Sequence, residues 1–163
     1  MPKDTSLRVI EQKLLDSLSA EARDNPRLRK NLNFHPGDDS CCHRLLNAIE
    51  PGSYIRPHRH LEPSKDESVV MVRGRLGVLS FNDMGNVLSP VIICAEGPAM
   101  AVDIPHGLFH TVVSLESGTV FFESKAGPYL PLTDEEKGEW SPAEGKPEAA
   151  FYLKHLESLL IRL

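Results

Sequence analysis

Thiols are scarce in this chain. Its 163 residues hold three cysteines, Cys41, Cys42 and Cys94, an odd number with two adjacent, which makes a poor disulfide framework. A reducing, cytoplasmic setting is the natural expectation. The adjacent pair is read as two strand side chains facing opposite ways rather than as a soft-metal site. No apolar run approaches membrane-spanning length, and the opening MPKDTSLR has no apolar core of a signal peptide. Basic residues are not in excess: the net charge of -5 argues against nucleic acid or an anionic membrane as the main partner. Internal repeats and low-complexity tracts are absent too. What remains is ordinary globular composition, 40% hydrophobic and 25% charged, in a chain long enough for one full-sized core and too short for two.

Leu7, Ile10, Leu14 and Leu18 recur at helical spacing, which predicts an amphipathic helix over about 6–20, capped by Asp4, Thr5 or Ser6. Asn25-Pro26 interrupts it, and RLRK after it reads as a solvated connection. From Cys42 to about Lys125 the texture changes to short apolar runs, among them SVVMV, RLGVLSF and HTVVSL. Turn signals such as Pro51-Gly52, Arg73-Gly74 and Ser117-Gly118 separate them, and Met84-Gly85-Asn86 reads as a hairpin tip. Regular short strands so punctuated predict an antiparallel sandwich or barrel. PEAAFYLKHLESLLIRL then reads as a closing helix, with Ala149, Tyr152 or Leu153, Leu156, Leu160 and Leu163 along one side. The expected organisation is an N-terminal helical segment over 1–31, a β-region over 32–127 and a C-terminal loop and helix over 128–163.

Seven histidines are present. His35, His43 and His155 have no ligand-like spacing and read as packing or surface residues. His58 and His60 would share one face of a strand, although an HxH pair alone fits a polar strand face at least as well. Three features strengthen it. Glu67 heads the apolar run SVVMV, where a carboxylate is costly unless paired or coordinated. His110 begins another apolar run after a Pro-x-Gly turn. Gly52 and Gly74 stand where turns would bring these strands together.

The first block, G-x5-H-x-H-x6-E-x6-G, runs Gly52, His58, His60, Glu67, Gly74; the second, P-x-G-x2-H, runs Pro105, Gly107, His110. Together they resemble the two signature blocks of the cupins. That resemblance implies an all-β jelly-roll (double-stranded β-helix) barrel, here with N- and C-terminal helices added. It also implies a metal held by His58, His60, Glu67 and His110. Six residues, LEPSKD, separate His60 from Glu67 where the family has three or four, so Glu67 requires a bulged loop. Glu62 is the competing carboxylate, with Pro63 marking the end of its strand. Gly97 and Pro105 are separated by seven residues rather than five, and Ser114 stands where the family often has asparagine. Over about 32–145, stretches including LNFHPGDD, RLLNAIEPGSYIRPHRH and IPHGLFHTVVSLESGTVFFESKAGPY resemble the WbuC family of cupin-fold metalloproteins. Its members are associated with bacterial surface-polysaccharide (O-antigen) gene clusters.

Three imidazoles and one carboxylate suit a divalent Fe, Mn, Zn, Ni or Co ion and leave coordination positions open for a small-molecule ligand. Strand alternation would turn Tyr54 and Arg56 the same way as His58 and His60, and Arg73 the same way as Glu67. Arg56 and Arg73 are therefore expected to bind an anionic substrate group. His106, in the Pro-His-Gly turn, and Tyr54 are the candidate catalytic groups. Phe109, Phe121 and Phe122 read as core. The functions this leaves open are a metal-dependent isomerase, lyase or oxygenase, a ligand-binding module without turnover, and a metal-free cupin resembling sugar-nucleotide epimerases. The terminal elements suggest a homodimer.

Overall fold

Burial that alternates residue by residue marks the strands. In ESVVMVR, Glu67, Val69 and Met71 are buried while Ser68 and Val70 are exposed, the period of two expected of a strand with one face to a core. The computed structural model describes residues 6–161. Its elements are α1 (Gln12–Asp24), β1 (Arg29–Asn33), β2 (Cys42–Ile49), β3 (Glu67–Arg73), β4 (Arg75–Phe81), β5 (Val87–Cys94), β6 (Ala101–Ile104), β7 (Phe109–Ser114), β8 (Thr119–Ala126) and α2 (Pro147–Leu160).

The strands form two antiparallel sheets, ordered β1-β2-β8-β3-β6 and β5-β4-β7. Val69, Met71 and Phe121 of the larger sheet pack against Leu76, Val78, Ile93 and Val112 of the smaller. A fully buried side chain such as Val69 contributes about 1.5–3 kcal/mol relative to exposure. The all-β jelly roll with two helices expected from the sequence is therefore present, but as two facing sheets; the barrel is not closed. Gly74, at a φ of +80°, makes the turn by which β3 of one sheet passes to β4 of the other. A Cβ there would press on the Thr119 backbone.

The first helix lies later than its predicted span. Leu15, Leu18, Ser19 and Ala22 form its buried face and meet Leu46, Ala48 and Val120 on the outer face of the five-stranded sheet. Leu7 and Ile10 lie before the helix and are exposed. Glu11 takes the N-cap position without a capping side-chain bond, whereas Ser6 lies well outside it; Asp4 and Thr5 fall outside the described residues. Asn25 is extended, as its following proline dictates, and ends the helix. RLRK is not a free connection either, since Arg29 and Lys30 begin β1 at the sheet edge.

α2 covers the outer face of the smaller sheet through Leu153, Leu156 and Leu160, packed with Leu79, Phe81 and Val113. Leu160 lies directly over Gly77, where a Cβ would collide with it. Leu163 falls outside the described residues. The Asn82–Val87 tip is pinned by Asn82, whose side-chain oxygen accepts from the backbone N–H of Met84 and Asn86. Among the described residues, no helix is long and apolar enough to cross a membrane.

Candidate metal centre

The segment after Gly52 is extended but is not a ladder strand. His58 and His110 exchange two backbone hydrogen bonds, N–H to carbonyl, at 3.0 and 2.8 Å, an isolated bridge between this segment and β7. On the other side, the Arg59 N–H donates to the Glu136 carbonyl at 2.8 Å and the Gly138 N–H to the Pro57 carbonyl at 2.9 Å. The two blocks of the sequence are thereby stitched together at the histidines themselves.

The rings of His58 and His110 lie 4.7 Å apart, those of His58 and His60 5.4 Å, and those of His60 and His110 6.0 Å. One ligand nitrogen from each falls within 4.8 Å of the others, close enough to serve one metal ion. His58 Nδ1 lies 3.0 Å from the Arg56 carbonyl and His110 Nδ1 2.9 Å from the Leu108 carbonyl. A carbonyl only accepts, so both Nδ1 atoms carry hydrogen and both Nε2 atoms keep a lone pair. His110 Nε2 is buried with no hydrogen-bond partner among the described residues, a costly state for a polar atom. A ring N–H held by a carbonyl, with the opposite nitrogen free, is how metal-ligating histidines are oriented. Burial and the neighbouring His110 push His58 down to about 3. Burial likewise lowers His110, so both rings are neutral and able to coordinate.

Glu67 opens β3 beside His60. Its Oε2 lies 3.2 Å from His60 Nε2 and 3.2 Å from Lys125 Nζ. Burial pushes the Glu67 carboxyl up, but the His60 hydrogen bond and the Lys125 charge outweigh it and hold it below the usual carboxylate range. Lys125 Nζ also contacts Glu123 Oε1 at 2.6 Å, and Asn47 Nδ2 donates to Glu123 Oε2 at 2.8 Å. Burial would lower the ammonium, yet the two carboxylates raise it; burial and the Glu67 charge raise Glu123. This network opposes one cation to two acidic groups. The competing carboxylate lies elsewhere: Glu62 is exposed and accepts a hydrogen bond from the Ser64 hydroxyl at 3.2 Å.

A cavity of about 570 Å³ lies between the sheets, with His58, Glu67 and His110 lining it together with Asn47, Glu123 and Lys125. Asn47, Glu123 and Lys125 stand in no ligand-like spacing in the sequence. The signal missed for the last two is alternation on β8, where Phe121, buried in the core, carries Glu123 and Lys125 to the same face.

Tyr54, Arg56, Arg73 and His106 do not join the histidines. Tyr54 is buried beside α2, its hydroxyl donating to the Pro142 carbonyl at 2.8 Å and its ring edge-on to Tyr152. Arg56 donates to the Gly138 carbonyl at 2.9 Å and to Ser141 Oγ at 3.3 Å. Alternation failed for both because residues 53–60 are not a regular strand. Arg73 lies beyond a break in register after Met71, which turns it from the core to α1. There it donates to Ser19 Oγ at 2.7 Å, the Leu15 carbonyl at 3.1 Å and Asp16 at 2.6 Å. His106 is exposed, with its backbone N–H and ring Nδ1 both 2.8 Å from Asp66 Oδ1. His35 and His43 stack on one another at 4.1 Å, both buried. Phe109 and Phe121 are buried, and Phe122 packs partly buried beneath α1.

Solved structures with similar folds include a Bacillus halodurans protein, 19% identical with a TM-score of 0.51, the match covering 78% of this chain and 87% of that one. A Thermus thermophilus protein is 20% identical with a TM-score of 0.50, over 74% of this chain and 97% of that one. A cupin-2 domain-containing protein of Shewanella frigidimarina is 17% identical with a TM-score of 0.44, over 60% and 80%. At these identities the first two likenesses are of fold alone. No curated protein matches the chain. A family model described as "Domain of unknown function (DUF6016)" matches residues 10–93, a span that holds the His58–Glu67 block and stops short of His110, and the chain belongs to that family.

Proposed function

We propose that this chain is a metal-binding cupin of the WbuC type that holds one divalent ion by His58, His60, His110 and Glu67. Its cavity then takes a small anionic or sugar-derived ligand. The observation that carries the reading is the buried, unpaired Nε2 of His110 facing two further imidazoles. The charge balance supports it: a buried network with one ammonium and two acidic groups gains from a cation at its imidazole end. Bound there, the ion would supply Lewis-acid polarisation of a ligand oxygen. Asn47, Glu123 and Lys125 would present polar groups to the rest of the ligand. The O-antigen association, carried by the resemblance over 32–145, belongs to the same proposal, as do a cytoplasmic setting, carried by the sparse unpaired cysteines, and a homodimer built on the terminal elements.

The test is metal content of protein purified without an affinity tag, with Glu67→Gln and Glu62→Gln alongside. About one ion per chain is expected in the parent and in Glu62→Gln, with most of it lost in Glu67→Gln. Metal retained in Glu67→Gln but lost in Glu62→Gln would overturn the ligand assignment. Turnover assays on nucleotide-linked sugars, run on the metal-loaded protein, then separate an enzyme from a binding module.

A further inference from the structure

Lys125 stands directly across from Glu67 in the β3–β8 register. Its side chain is about one-fifth exposed, and its ammonium touches Glu67 at 3.2 Å and Glu123 at 2.6 Å. A largely buried lysine is costly unless paired. The two contacts are not equivalent. Glu123 is also held by Asn47, which fixes it to β2, while Glu67 shares its Oε2 between Lys125 and His60. The carboxylate oxygen that touches the histidine cluster is thus also the one on which a built-in cation rests.

We infer that Lys125 is the counter-ion of the metal-free site, an ammonium that competes with the divalent ion for Glu67. The inference rests on the metal reading above. In metal-free protein, Lys125 neutralises a Glu67 carboxylate that would otherwise be buried beside the histidine cluster without a cation. When an ion binds, Glu67 turns its charge to that ion, and Lys125 stays anchored on Glu123. The ammonium then lies close to a divalent cation, with little water between them to screen the repulsion. Lys125 therefore weakens metal binding while holding the metal-free site together. This assigns it a tuning role distinct from that of a ligand.

Titration calorimetry with Zn²⁺ on the full chain tests this, comparing the parent, Lys125→Met, Lys125→Arg and Glu123→Gln. Lys125→Met removes the charge and keeps the length of the side chain. It is expected to bind Zn²⁺ at least tenfold more tightly and to melt at a lower temperature when metal-free, with the melting difference shrinking in saturating Zn²⁺. Lys125→Arg keeps the charge and is expected to stay within about threefold of the parent. Glu123→Gln leaves Glu67 as the only carboxylate for Lys125, so its Zn²⁺ affinity is expected to fall; it provides the opposite sign if Lys125→Met does not fold. Unchanged or weaker Zn²⁺ binding in Lys125→Met, or unchanged or tighter binding in Glu123→Gln, overturns the inference while His110-dependent Zn²⁺ binding by the parent leaves the metal reading intact. Failure of the parent to bind Zn²⁺ overturns both.

Discussion

His110 carries an unusual burden for a residue near the start of a wholly buried strand. Its Nδ1–H is spent on the Leu108 carbonyl and its Nε2 is buried without a partner among the described residues. Such an atom costs about 1–3 kcal/mol when left unpaired, a cost that a bound ion would relieve. His110→Leu removes that cost together with one hydrogen bond. We expect metal-free stability, measured by urea unfolding with a chelator present, to change by less than about 1 kcal/mol. Zn²⁺ affinity should fall by two orders of magnitude or more. A large destabilisation with metal binding intact would make His110 a packing residue. At this scale the sequence was informative because metal-ligand spacing is a local property: His58, His60 and His110 were legible from two short blocks. Arg56 and Tyr54 were not, since their direction depended on a regularity that residues 53–60 lack. Arg73 escaped for a similar reason, the break in register after Met71. Lys125 and Glu123 were hidden because opposite charges in an apolar strand read as surface until their cross-strand neighbours are known.

Elements are tied to the sheets by a few ion pairs as well as by apolar faces. Glu144, in the loop before α2, accepts hydrogen bonds from Arg27 at 2.7 Å and from Arg29 at 2.8 Å, joining the N-terminal edge to the C-terminal loop. The Arg27 hydrogen bond, aided by Arg29 and opposed by burial, holds the Glu144 carboxyl down to about 2. A depressed carboxylate contributes stability that is fully present above its unfolded value and is lost as pH falls through the folded one. The window therefore runs from about 4.5 down to about 2. Because the carboxylate is more than a third exposed, solvent screening limits the contribution to about 1 kcal/mol. Glu144→Gln is expected to be less stable than the parent by about that amount at pH 7, with the gap narrowing below pH 4.5 and closing near pH 2. A gap independent of pH would contradict the assignment. The element boundaries show where sequence periodicity runs out. Leu7, Ile10, Leu14 and Leu18 set a helical rhythm, but contact with Leu46, Ala48 and Val120 selects Leu15, Leu18 and Ala22 instead. Asn25-Pro26 marked the true end of α1 more reliably than the apolar spacing marked its start.

In the whole molecule the two helices sit on opposite outsides of the sandwich, α1 on the five-stranded sheet and α2 on the three-stranded one. This leaves the space between the sheets to the histidines and the cavity. The all-β class was legible because apolar runs of strand length alternate with glycine-bearing turns. The failure of the sheets to close was not, since closure depends on which edge strands find each other across the core. The proposed metal site requires side chains from residues 58–67 and from β7 to converge on one cation beside that cavity. An anomalous-scattering map from crystals of Zn²⁺-loaded protein tests it most directly. A single strong peak is expected about 2.0–2.2 Å from a nitrogen of each of His58, His60 and His110, with a Glu67 oxygen completing the set. A peak elsewhere, or none among these three rings at full Zn²⁺ loading, would contradict it.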